Sequence, residues 1–306
     1  MIDAVCDAPR RADRRRGLTM VELLITMSII GILASMVLFA MSTAQESARV
    51  ARTEATIATL HALVMEQYES YRTRRLPIER DDSTETAAQF RKRRVDALRE
   101  LMRREMPDCW DDIADAYPAM FPAGTMRKNS PVTGTALMQA YKRRHDAGTP
   151  TTDYQGAECL YMLITFSNPE ARSLFSDSQI GDVDGDGYPE FLDGWGKPID
   201  FIRWPADFVS DLQSVVPDPS NAGAMIGDPV NDHDPFDPLR VYSEAYRLVP
   251  LIYSAGPDGE YNIVASGSGS SNPYDVNSGT KKRGAPYDDS SSGHIDNIHN
   301  HLIGAR

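Results

Sequence analysis

The stretch Arg14-Arg15-Arg16-Gly17-Leu18-Thr19-Met20-Val21-Glu22, with the apolar run that continues to Met41, decides how the rest of the chain reads. A basic cluster meets a glycine. Between Leu18 and Met41 the only ionisable side chain is Glu22. A helix rises 1.5 Å per residue, so these roughly 24 residues reach about 36 Å, enough to cross the hydrocarbon core of a bilayer with some tilt. Glu22 lies one turn inside the apolar end. A carboxylate there is costly and marks a functional position.

The helical pattern continues beyond the apolar run. Ala44, Ala48, Ala51, Ala55, Ala58, Leu60, Leu63, Val64 and Tyr68 recur at spacings of three and four, with Glu46, Arg49, Arg52 and Glu54 on other faces. That periodicity predicts an amphipathic helix. No proline occurs between Gly17 and Pro77, so a single helix of more than 50 residues is expected.

Three readings compete for the N-terminus. A secretory signal peptide has a shorter apolar core and a small-residue cleavage site. An ordinary single-pass helix explains the length, but neither the glycine nor Glu22. The third reading explains both. Gly17-Leu18-Thr19-Met20-Val21-Glu22-Leu23-Leu24-Ile25 resembles the cleavage and methylation signal of type IV prepilins and type II secretion pseudopilins.

The resemblance implies that a prepilin peptidase cuts between Gly17 and Leu18 and that the new N-terminus at Leu18 is N-methylated. The family usually has Phe where this chain has Leu18. It further implies that Glu22 pairs with the freed α-amino cation of the same or a neighbouring subunit and sets the register of helices in a filament. In the leader, residues 1–17, five arginines outnumber Asp3, Asp7 and Asp13. By the positive-inside rule the leader stays cytoplasmic. The C-terminal domain is then periplasmic, or part of an extracellular filament.

The expected organisation is a leader (1–17), the transmembrane half of the first helix (18–41), its amphipathic half (42–77), a helical insertion (78–150) and a C-terminal sheet domain (151–306). Within the insertion, Asp82-Ser83-Thr84-Glu85 reads as an N-cap, predicting a helix from about Thr84 to Met106. Its basic run, Arg91 to Arg94, is either a solvated face or a contact for an acidic or lipid partner. Ala136 to Asp146 reads as a short helix. The apolar stretch Gly156 to Phe166 is a helix or a strand, which periodicity does not separate.

Asp182-Val183-Asp184-Gly185-Asp186-Gly187-Tyr188-Pro189-Glu190-Phe191-Leu192-Asp193 fits a twelve-residue calcium loop. Asp182, Asp184 and Asp186 supply oxygens at positions one, three and five. Gly187 permits the turn at six, Tyr188 offers its carbonyl at seven, Glu190 sits at nine and Asp193 at twelve. Pro189 and Gly194-Trp195-Gly196 exclude a good exiting helix, so a structural loop is expected rather than a sensor. The competing reading is an acidic turn held by Asx-type hydrogen bonds.

Asp193-Gly194-Trp195-Gly196-Lys197-Pro198-Ile199 resembles a segment of the major pseudopilins of type II secretion that leads into the first strand of their small sheet. Ile199 to Trp204 alternates as that strand should. Leu248 to Gly259 resembles the family's later strand and glycine-rich loop, with Pro250 suggesting an edge strand or bulge. By resemblance alone, Asp258, Asp289 and Asp296 are candidate ligands of a second calcium site. Residues 207–242, with Asp228, Asp232, His233, Asp234 and Asp237, are expected to be a solvated acidic loop.

The formal net charge of −12 argues against binding nucleic acid, which wants a basic surface. Of three cysteines, Cys109 and Cys159 lie beyond the anchor. In an oxidising compartment they are a candidate disulfide, closing a loop of about 50 residues worth roughly 3–5 kcal/mol. The alternative is two buried free thiols. His294, His299 and His301 invite a zinc reading, but lie in a Ser/Gly/Asn-rich tail without a helical frame. No nucleophile motif or phosphate loop is present, so an enzyme is not expected.

The overall expectation is an α+β, pilin-like protein: a long N-terminal helix packed on a small antiparallel sheet, with helical and acidic insertions. The resemblance implies a calcium-stabilised pseudopilin whose partners would be prepilin peptidase, other pilin or pseudopilin subunits, a secretion platform in the inner membrane, and lipid. The alternatives are a type IV pilin and a membrane-tethered calcium-binding protein that does not polymerise.

Overall fold

The computed structural model describes residues 19–76, 78–80, 85–114, 134–217, 225–265, 273–274, 283–287 and 295–303. The chain divides into two units, Met1–Ser47 and Ala48–Arg306. Helix α1, Met20–Ser70, runs for 51 residues without interruption, as the absence of proline allows.

In the first unit, Thr19 caps α1. Its hydroxyl accepts from Glu22 N at 3.2 Å, while Glu22 Oε2 accepts from Thr19 N at 2.8 Å and from the Thr19 hydroxyl at 2.9 Å. Two first-turn donors are thus satisfied reciprocally. The apolar side chains from Met20 to Met41 are exposed, as a lipid-facing surface should be. Thr26, Ser28, Ser35 and Ser42 donate their hydroxyls to carbonyls three or four residues earlier. No hydroxyl of these four therefore depends on water, which a bilayer core does not supply.

In the second unit, α1 buries Thr53, Thr56, Ile57, Leu60, Val64 and Tyr68. They enter a core shared with α2 (Ala87–Glu105), α5 (Gln155–Ser167) and the strands. Helix α5 settles the ambiguous stretch Gly156 to Phe166. Its Ala157, Cys159, Leu160, Met162, Leu163 and Ile164 are all buried. A helix apolar on every face belongs inside a protein, which is why its periodicity was uninformative. Two further helices, α3 (Asp111–Ala114) and α4 (Ala136–Asp146), join α5 around Trp110, Tyr141 and Tyr188.

The expected single sheet is three short antiparallel ones among the described residues. Strand β1 (Ile180–Gly181) pairs with β2 (Glu190–Phe191), and β4 (Val215–Pro217) pairs with β5 (Met225–Gly227). The main sheet has the order β3 (Asp200–Ile202), β6 (Leu251–Ser254), β7 (Ile298–His299). Phe201 faces Ile252, and Tyr253 faces Asp200 on one side and His299 on the other. β6 is therefore central, not an edge. Pro250 lies just before it, so no ladder donor is missing, and its carbonyl accepts from Asn300 Nδ2 at 2.8 Å. A last short helix, α6 (Asn300–Ile303), follows β7. The arrangement is α+β and pilin-like, a long N-terminal helix with small antiparallel sheets and added helices.

Helix α2 starts at Ala87, later than the expected Thr84, because Thr86 and Gln89 form the capping box. Glu85 is used elsewhere: Arg93 Nε and Nη2 grip its carboxylate at 2.8 and 2.7 Å. At the other end, Arg203, which follows β3, reaches α2's last turn. Its Nη1 donates to the carbonyls of Arg103 (2.9 Å) and Met106 (2.6 Å) and to Asp112 Oδ2 (2.9 Å). A guanidinium there satisfies orphan carbonyls and opposes the helix dipole.

Among the described residues, 207–217 and 225–242 are not the expected solvated loop. Asp228, Asp234 and Asp237 are buried. Asp234 pairs with Arg99 of α2 at 2.9 Å, and Asp237 accepts from Val241 N (3.0 Å) and Tyr242 N (2.8 Å). Tyr242 sits under the Arg99 guanidinium, its hydroxyl taking a hydrogen bond from Lys92 and giving one to Asp96. One buried ion pair, Arg99–Asp234, thus ties the acidic insertion to α2, while Arg91, Lys92 and Arg94 of the basic run stay exposed.

Candidate functional site

Strands β1 and β2 hold the acidic loop between them. Asp182 binds it from within, its Oδ1 accepting from Gly185 N at 2.7 Å and its Oδ2 from Gly187 N at 2.9 Å. Gly187 has φ +92°, a conformation L side chains rarely adopt, as the sixth position of such a loop demands. Tyr188 N donates to Asp186 Oδ1 at 2.8 Å. Outside the loop, Thr151 N donates to Asp186 Oδ2 at 2.7 Å and the Thr151 hydroxyl donates to Asp184 Oδ2. One oxygen from each of Asp182, Asp184 and Asp186 lies within 4.8 Å of the others.

The Tyr188 side chain serves as a peg. Its ring meets Trp110 edge-on at 5.0 Å, and its hydroxyl donates to Arg144 O at 2.8 Å, at the end of α4. Glu190 is fully buried. Its Oε2 accepts from Val183 N at 3.2 Å, and its Oε1 has no partner. Burial, with help from Asp184, Asp182 and Asp186, pushes its carboxyl up to about 7, although the Val183 hydrogen bond opposes this.

A residue absent from the sequence reading completes the group. Glu158, in the first turn of α5, is fully buried, and neither of its carboxylate oxygens has a hydrogen-bond partner. Burial first, then Asp186 and Asp184, pushes its carboxyl up to about 9. One oxygen from each of Glu158, Asp184 and Glu190 lies within 4.8 Å of the others. The two triads share Asp184. The signal for Glu158 was present in the sequence: it is the only acid in the apolar stretch Gly156 to Phe166, and a buried charge needs a counter-ion.

Asp193 is not part of this cluster. Its Oδ1 accepts from Trp195 N (2.8 Å) and Lys197 N (2.9 Å), and its Oδ2 accepts from the Ser254 hydroxyl (2.6 Å). The trio drawn from resemblance is only partly visible. Asp289 lies outside the described residues, and Asp258 Oδ1 accepts from Glu260 N at 2.8 Å. Asp296 meets the glycine-rich loop through its backbone, its carbonyl 2.5 Å from where a Cβ on Gly256 would lie. Neither Asp258 nor Asp296 belongs to a triad of potential metal ligands among the described residues.

Cys109 and Cys159 are buried free thiols. Burial, with Asp112 and Asp108 nearby, pushes Cys109 up to about 12. Asp108, Cys109 and Asp112 also lie together, but arginines already occupy both carboxylates. Burial alone would raise Asp108. Arg203 and Arg283 overcome it and hold its carboxyl at about 2. Of the three tail histidines, His294 lies outside the described residues, while His299 and His301 pack edge-on against Phe208. His301 Nδ1 lies 2.6 Å from the Ser210 hydroxyl, so it is held by packing and a hydrogen bond.

The other predicted site is at the N-terminus. Gly17 and Leu18 lie outside the described residues, and Glu22 caps α1 with Thr19. The helix that Glu22 opens is long and apolar enough to cross a membrane. Residues 13–38 match the prokaryotic N-terminal methylation motif. No curated protein and no solved structure matches the chain. The methylation motif spans Gly17, Leu18 and Glu22, and the apolar helix behind it fits the membrane anchor of a prepilin-like protein. That motif indicates a type IV pilin-like protein, of the kind that prepilin peptidase processes and that assembles with pilin subunits.

Proposed function

We propose that this protein is a pseudopilin, a structural subunit of a filament built on the inner membrane and most like that of type II secretion. Prepilin peptidase cuts it at Gly17–Leu18, Leu18 is N-methylated, and α1 anchors and assembles it. The observation that carries this reading is the methylation motif at 13–38, which runs into an unbroken helix whose apolar residues from Met20 to Met41 are exposed. The Asp-Gly-Trp-Gly turn leading into β3, and the Ala-Gly-Pro-Asp-Gly loop after β6, favour a secretion pseudopilin over a surface pilin. On this reading the leader is cytoplasmic, the C-terminal unit is periplasmic, and the protein turns nothing over. The inner-membrane secretion platform is then its partner.

The test is mass analysis of the membrane-extracted protein. A chain that starts at N-methyl-Leu18 is expected, with the leader retained in Gly17→Ala. An intact N-terminus in the unsubstituted protein would overturn the assignment. Crosslinking in cells then separates the two filament classes: adducts with a secretion platform are expected, and adducts within a surface pilus would replace the pseudopilin reading with a pilin one.

A further inference from the structure

We propose that Glu158 of α5 joins Asp182, Asp184, Asp186 and Glu190 in one calcium site, and that Asp193 stands outside it. The loop alone does not carry this, because its aspartates are also explained by hydrogen bonds to their own backbone. Glu158 is not. It comes from a different element, it is fully buried, and both of its oxygens lack a partner. Glu190 Oε1 is orphaned beside it, and one oxygen of each lies within 4.8 Å of Asp184. Carboxylates withdrawn from water persist when they are paired or coordinate a metal. Here they point at one another across a space that Asp184 closes.

The chemistry of the donors selects the ion. Every ligating side chain is a carboxylate, with no imidazole or thiolate among the five, so a hard cation is required. Five acids from α5, the β1–β2 loop and β2 offer many oxygens without a fixed octahedron, which suits calcium's six to eight loosely arranged ligands better than magnesium's strict six. In a continuous loop of this type, position twelve supplies the closing carboxylate. In this chain that residue, Asp193, is held by Trp195, Lys197 and Ser254. Glu158 supplies the closing carboxylate through space. The ion thereby fastens the buried helix α5 to the β1–β2 loop, and Thr151, just before α5, already donates to Asp184 and Asp186. The proposal does not depend on which filament the protein builds.

The experiment uses the full chain in detergent, stripped with a chelator and titrated with calcium chloride by calorimetry, with thermal unfolding recorded with and without the ion. Saturable calcium binding and a raised unfolding midpoint are expected. Glu158→Gln is isosteric and should weaken calcium roughly tenfold or more, while its metal-free midpoint stays equal to or above that of the unsubstituted protein. Asp193→Asn should keep the calcium affinity. Unchanged affinity in Glu158→Gln would overturn the proposal, as would no binding by the unsubstituted chain. A metal-free Glu158→Gln midpoint well below the parent's would assign Glu158 a packing role instead and equally overturn it.

Discussion

Ser254, the last residue of β6, donates its hydroxyl to Asp193 Oδ2 across 2.6 Å, tying the Asp-Gly-Trp-Gly turn to the end of the central strand. Asp193 is 3 % exposed and also accepts from two backbone donors of that turn. The next residue, Gly194, packs so closely on α1 that a Cβ would lie 2.6 Å from Arg49 O. One carboxylate thus shapes the turn that seats the sheet against the helix. Asp193→Ala leaves two N–H groups and a hydroxyl without an acceptor, and should cost about 3 kcal/mol of unfolding free energy. Denaturant titration checks this; a loss well under 1 kcal/mol would show that water replaces the carboxylate.

Arg203 is 1 % exposed and joins the last turn of α2 to Asp112, with Asp108 Oδ2 accepting from its own backbone N–H at 2.9 Å. Arg203→Met should destabilise by about 3–5 kcal/mol, because it strands buried carboxylates and helix carbonyls together. Arg203→Lys should recover little of this, since a lysine ends short of the point where Nη1 meets two carbonyls and a carboxylate, and brings no planar guanidinium to lie over Trp204. Full recovery by lysine would mean that the charge alone matters.

Acid should unfold the C-terminal unit partly through His301. Burial holds its imidazole near 4, below the ordinary 6.5. The folded state therefore resists a proton that the unfolded chain accepts. The stabilisation from a neutral His301 is present above pH 6.5 and is lost as the pH falls towards 4, amounting to about 3 kcal/mol for a fully buried ring. Stability measured from pH 7 to pH 4.5 should fall less steeply in His301→Leu than in the parent. Parallel curves would exclude His301 as the titrating group.

Glu22 has two separable roles. Glu22→Gln keeps an oxygen for Thr19 N, so the cap on α1 survives, but it removes the charge that pairs with a freed N-terminus. Membrane insertion and helix content should match the parent, while subunit crosslinks through α1 disappear. Crosslinks at the parent level would leave Glu22 with the cap alone.

Much of the architecture was legible along the chain because it is written locally. The 51 residues of α1, the span of α4 from Ala136 to Asp146, and the β1–loop–β2 acidic turn follow from periodicity, absent proline and a fixed spacing of Asp and Gly. Residues 207–242 were misread because charge in sequence suggests solvent. Arg99, which pairs with the buried Asp234, and Asp96, which accepts from Tyr242, lie more than 100 residues away in α2. Pro250 likewise suggested an edge strand, and only the sheet order shows that the ladder begins one residue after it.

By itself the sequence determined the anchor. A glycine, a glutamate five residues later and an unbroken apolar run act through neighbours on one helix, so linear order suffices. It also determined where the acidic loop lies. Which carboxylates converge there was decided by tertiary structure alone. Asp193, adjacent in sequence, is drawn away by Ser254, and Glu158, more than twenty residues upstream, is delivered by the packing of α5 against β2 and β3. Buried acids have to be matched in space, and the side chains that match them are chosen by the fold.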